Sequence, residues 1–122
     1  ARGEVVVFRY PRDPRQFFIK RIIGLPGEEV AIEKGRVHIV NADYPKGFLL
    51  DEPYLGPPNR LTYPDMNRKL GQGEYFVLGD NRDFSSDSRA WGALARKFIT
   101  GRTLLRVWPF ARFGIVSFMS SP

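Results

Sequence analysis

The stretch "QFFIKRII", Gln16 to Ile23, decides how the chain is read. Its β-branched and aromatic residues show no helical spacing, which predicts a buried strand. Strand side chains alternate between faces, so Phe18, Lys20 and Ile22 share one side while Ile19, Arg21 and Ile23 share the other. Upstream, "EVVVFRY" (Glu4 to Tyr10) has the same character, and "PRDPR" between the two runs predicts a turn, because proline fixes φ and lacks a donor. Downstream, "GLPGE" ends the second strand, and "EVAIE" and "RVHIV" flank Lys34 and Gly35 as a hairpin. The opening third is a β-meander.

Residues 41–73 are rich in proline, glycine and polar side chains, with apolar runs no longer than "FLL". A loop of that length in a compact domain calls for packing of its own, which predicts an inserted lobe. "EYFVLGD" restores strand character, "RAWGALARK" holds one short helical turn, and "KFITGRTLLRVWPF" and "GIVSFM" supply two or three further strands. The expected fold class is all-β: antiparallel sheets forming a partly open, barrel-like core from residues 1–33 and 74–122, with a small β/loop lobe at 34–73. Barrel closure would deal with the exposed sheet edges.

The chain has 122 residues, 43% of them hydrophobic and 26% charged, which suits one globular domain. It has no cysteine, so disulfides and thiolate metal sites are excluded. No apolar run reaches the roughly 18 residues a membrane helix needs, and no basic-then-apolar signal segment opens the chain. It starts at Ala1 and enters a strand almost at once, which reads as a piece of a longer protein. The net charge of +6 fits nucleic acid, an anionic membrane surface or a basic face without a partner.

Candidate chemistry is sparse. Lys20 is bracketed by apolar neighbours, and desolvation favours a neutral amine, which can activate a serine hydroxyl as general base. The plainer reading is a lysine snorkelling from a sheet edge. The lone histidine, His38, shares a hairpin face with Arg36 and Val40 and faces solvent, which leaves no histidine for a conventional triad. "DFSSDS" places Asp83, Ser85 and Asp87 at alternate positions like a calcium loop, but Ser88 and Leu94 stand where glycine and a bidentate glutamate are needed. No phosphate-binding glycine spacing occurs, and no metal or cofactor is called for. Seventeen aromatics and the excess of cations invite an OB-like nucleic-acid-binding barrel, yet the Lys and Arg residues are spread without a dense run, so no nucleic-acid partner is expected.

"FIKRIIGLPGE", followed about 60 residues later by "GDNRDFSSDSRAWG", resembles the type I signal peptidase (leader peptidase) family. "GEVVVF" is similar to that family's "GDVVVF" block, and the region from Gly101 to Pro109 is similar to its "GR...WP" segment, so the resemblance spans nearly the whole chain. It implies a Ser-Lys serine endopeptidase that cuts signal peptides from exported preproteins after small residues of the Ala-x-Ala type. Lys20 matches the family's general base and Ser85 a serine that steadies that lysine. Arg21 and Asp80 match one supporting pair, and Asp87 and Arg89 a second. The family's nucleophile lies in a Ser-x-Met-Pro block ahead of the "GDVVVF" strand, beside an oxyanion-hole residue, and its membrane anchor lies further upstream. The resemblance thus implies that this chain alone is inactive, while its parent sits in the bacterial cytoplasmic membrane with the catalytic part outside. The implied partners are preprotein signal peptides and an anionic lipid surface, against which "WPFARFGIVSFM" is one candidate contact and ordinary core its alternative. A Ser-Lys autopeptidase of a DNA-damage-response regulator is a second reading, with the nucleic-acid module a third. Asp83 and Ser86 receive no role.

Overall fold

The computed structural model describes residues 1–57 and 60–102. Nine strands are present among them: β1 (Val5–Tyr10), β2 (Asp13–Gly24), β3 (Glu29–Glu33), β4 (Arg36–Val40), β5 (Phe48–Leu49), β6 (Met66–Lys69), β7 (Glu74–Leu78), β8 (Leu94–Ala95) and β9 (Ile99–Arg102). One helical turn, α1 (Ser88–Trp91), and a 3₁₀ turn (Arg96–Phe98) complete the set. The strands form a five-stranded sheet in the order β8-β7-β2-β1-β9 and a four-stranded sheet in the order β5-β4-β3-β6. All pairings are antiparallel, and one sheet curls into a half-barrel, as the all-β, partly open barrel reading requires. The strands expected beyond Arg102 and the "WPFARFGIVSFM" stretch lie outside the described residues.

β2 is central, and its alternation organises the interior. Ile23 joins Val30 and Ile32 of β3, Val37 and Ile39 of β4, and Phe76 and Leu78 of β7 in a cluster between the sheets. On the opposite face, Phe18 and Ile22 join Val6, Phe8, Val77 and Leu94. Tyr10 stacks on Phe18 with ring centroids 4.4 Å apart, and Trp91 meets Phe8 at 5.8 Å. Residues of β2 are buried without a break from Phe18 to Gly24, whereas those from Pro14 to Phe17 are exposed.

The sequence placed a turn over all of "PRDPR", but the chain reverses at Pro11 and Arg12 alone, and β2 resumes at Asp13. Tyr10 pairs with Asp13 and Arg9 with Phe17, so Pro14, Arg15 and Gln16 bulge out of the ladder. A bulge accepts Pro14 because the ladder asks no N–H of it there. The "EVAIE"/"RVHIV" hairpin closes through Lys34 (φ 51°) and Gly35 (φ 81°), two consecutive positive φ angles that match the strand twist. The lobe boundary drawn at residue 34 falls in that turn. Among the described residues no helix is long and apolar enough to cross a membrane.

Gly24 lies where β2 passes under the second sheet, and a Cβ there would stand 2.5 Å from Val30 Cγ2 and 2.8 Å from Leu70 Cδ1. Gly24→Ala is expected to cost about 1–3 kcal/mol by overpacking, read as a lower urea midpoint. An unchanged midpoint would show that the two sheets have room to part.

Candidate active site

Lys20 sits on the central strand opposite Val6 of β1, with 1% of its surface exposed. The snorkelling alternative therefore fails: an inner strand offers no edge from which the amine could reach solvent. Its Nζ donates to Ser85 Oγ at 3.1 Å and lies 5.4 Å from the centroid of the Phe18 ring. Burial pulls the Lys20 amine down from its ordinary value of 10.5 to about 8; Asp87 and Asp80 work against that shift and Arg89 with it. An amine tuned this way is half deprotonated at about pH 8, so a neutral fraction that could act as a base exists near neutral pH.

Ser85 reaches Lys20 because the loop after β7 is pinned at several points. Ser88 Oγ accepts from the Val77 N–H at 2.9 Å, tying the start of α1 back to β7. Asp87, fully buried, caps α1: its Oδ1 accepts from the Arg89 N–H at 3.1 Å and its Oδ2 from the Gly79 N–H at 3.0 Å. The Arg89 guanidinium closes on both Asp87 oxygens at 2.9 and 2.8 Å and donates to the Tyr63 and Arg82 carbonyls. Asp80 at the loop's start takes a two-point pair from Arg21 at 2.9 and 2.7 Å. Arg21 leaves β2 on the face opposite Lys20, also donates to the Gly3 carbonyl at 2.8 Å, and lies 4.1 Å over the Tyr54 ring. All six residues singled out in the sequence are thus brought to one strand, one loop and the helical turn that follows it. His38 lies on β4 of the other sheet, half-buried.

Several members of this framework escaped the sequence reading. The Arg82 side chain is wholly buried; its guanidinium donates to Glu52 Oε1 at 2.7 Å, Thr62 Oγ1 at 2.7 Å and the Gly79 carbonyl at 2.8 Å. Tyr54, whose hydroxyl donates to Glu52 at 3.1 Å, has its own titration pushed upward, chiefly by burial. Glu52, Tyr54 and Thr62 come from the irregular segment, where neither periodicity nor motif distinguishes them from surface residues. Arg82 stood inside "GDNRDF" in plain view. Its burial, not its identity, was the missing signal.

Two outcomes test this site. Asp80→Asn leaves Arg21 buried without its counter-charge and is expected to cost about 3–5 kcal/mol, whereas the paired change Arg21→Met with Asp80→Leu should recover most of the loss; urea titration measures both. Lys20 should also leave a pH signature. Between pH 8 and 10.5 the unfolded chain holds the lysine proton and the folded chain has released it, so this group's contribution to stability rises with pH across that window. Lys20→Met removes the rise, so the stability of wild type relative to this variant should increase from pH 7.5 to pH 10.5. A difference that stayed flat would place the Lys20 titration elsewhere.

Comparison with known proteins places this geometry in context. The pattern of the family described as signal peptidase, peptidase S26, matches residues 1–108. The chain is 41% identical over 122 residues to a probable signal peptidase I-2 of Synechocystis, covering 95% of this chain and 52% of that protein. It is 40% identical to a signal peptidase I of Leptolyngbya laminosa (93% and 55%), and 34% identical to signal peptidase IB of Staphylococcus aureus (92% and 63%). The chain thus spans about half the length of the first two curated relatives. The crystal structure of a signal peptidase I from Enterococcus faecalis V583 superimposes with a TM-score of 0.69 at 30% identity, covering 84% of this chain and 95% of that one.

Proposed function

The chain belongs to the signal peptidase family, peptidase S26, and we propose that the protein carrying it removes signal peptides from exported preproteins with Lys20 as general base. The observation that carries this reading is an amine buried on a central strand, brought down to about 8 and hydrogen-bonded to a serine hydroxyl at 3.1 Å. Neutral Lys20 takes the proton from the attacking serine hydroxyl as its oxygen bonds to the scissile carbonyl carbon. The same amine, now an ammonium, delivers that proton to the departing nitrogen when the C–N bond breaks, which leaves an acyl-enzyme for water to hydrolyse. Ser85 holds Nζ on the line of transfer. Asp80, Asp87 and their arginines hold the loop that carries Ser85, and act as scaffold rather than as acids or bases.

In this proposal the attacking hydroxyl belongs to a Ser-x-Met-Pro block of the parent ahead of Ala1, so the 122 residues alone do not turn over. The preferred bond follows small residues in an Ala-x-Ala pattern. The parent acts at the outer face of the bacterial cytoplasmic membrane, where the net charge of +6 favours anionic lipid. The 3.1 Å contact would also suit Ser85 as the attacking group, and experiment separates the two. Incubated with a serine-acylating inhibitor, the isolated chain is expected to stay unmodified; mass added at Ser85 would make Ser85 the nucleophile.

In the complete protein Lys20→Ala should abolish preprotein cleavage, and wild-type kcat/KM should climb with pH and level off above about 8, where the amine is neutral. Turnover retained by Lys20→Ala would remove the lysine from the mechanism.

A further inference from the structure

The Asp83 carboxylate takes no part in the framework described above. Asp83 is exposed, and its carboxylate has neither a hydrogen bond nor an ion pair among the described residues. It lines a shallow pocket of about 270 Å³ whose other walls include Ser85, Tyr63, Pro64, Arg82 and Arg89. The two arginines bring no spare charge to it. Arg82 is matched by Glu52, and Arg89 is closed on Asp87. Arg12 donates to the carbonyl of Ala90, another residue of the lining, at 3.3 Å, so a free carboxylate stands on the wall and a cation lies near the rim.

We propose that this pocket receives the polypeptide on the amine side of the cleaved bond, and that Asp83 favours a basic side chain within the first three residues there. This inference rests on the signal peptidase reading of the site. Lys20 must return its proton to the departing nitrogen, so that nitrogen comes within hydrogen-bond reach of Nζ. Ser85 Oγ is itself 3.1 Å from Nζ, and Ser85 forms one wall of the pocket. The departing segment therefore passes the pocket's mouth. An exposed carboxylate on the wall suits the start of a mature exported chain better than the apolar signal segment on the acyl side. Tyr63, 54% exposed, offers a flat face on which a long basic side chain can lie while its charged end meets Asp83.

The experiment uses the complete protein and synthetic peptides that differ only in Lys or Glu at the first, second or third residue after the scissile bond, with the same exchange before the bond as a control. Wild type should cleave the best-placed Lys peptide with about two- to fivefold higher kcat/KM than its Glu twin, the size an exposed ion pair supports, and the ratio should shrink as salt is raised. Asp83→Asn should bring the ratio to about one and Asp83→Lys should invert it; Arg12 is present throughout and cannot account for such a change. A ratio untouched by Asp83→Asn, or a preference found only before the bond, overturns the subsite while leaving the peptidase reading intact. Failure of wild type to cut any peptide or preprotein overturns that reading, and the subsite falls with it.

Discussion

Lys20 occupies the middle of a five-stranded sheet with 1% of its surface exposed, and holding an amine there removes solvation that only its surroundings can offset. The surroundings do so in a limited way. Ser85 accepts one hydrogen bond, and the buried carboxylates of Asp80 and Asp87 favour the ammonium form, but each carboxylate is already engaged by its own arginine. Their pull on the proton is thereby blunted, and desolvation prevails. Closer or unpaired carboxylates would favour the ammonium form.

The loop that carries Ser85 is correspondingly constrained. It begins at Asp80, tied across to β2, and ends at Asp87 and Ser88, tied back to Gly79 and Val77. Between these anchors Arg82 reaches out to Glu52 and Thr62, so the irregular segment between β4 and β6 is clamped to the same loop. Arg21 and Lys20 are neighbours on β2, yet strand alternation sends one to the loop's buried root and the other to its serine. A single strand thus supplies both the buried amine and the anchor for its partner. Such short, charge-assisted pairs suit positioning because each fixes direction as well as distance.

Much of this organisation was legible in the sequence. The β-branched runs around Val5–Phe8 and Phe18–Ile23, and the two-residue turn at Lys34–Gly35, dictate strands and a hairpin by local sterics, and the structure has them. The extent of the turn after Tyr10 was not legible, because whether Pro14 lies in a turn or in a bulge depends on how far β2 slides along β1. Nor was the burial of Lys20: an "FIKRII" run reads equally well as an edge or a central strand, and the difference lies in β7, more than 50 residues further along the chain.

The sequence by itself determined the strand alternation that separates Lys20 from Arg21, and it carried the dense "GDNRDFSSDSR" loop whose residues resemble a known catalytic framework. Only the tertiary structure decided that Lys20 lies inside, that Ser85 stands 3.1 Å from it, and that Arg82 finds Glu52 and Thr62. Alternation and turn chemistry act between near neighbours and are written in the local order of residues. Desolvation and ion pairing instead depend on which distant segments close around a group, and the Ser85, Asp80 and Glu52 contacts join residues 65, 59 and 30 positions apart.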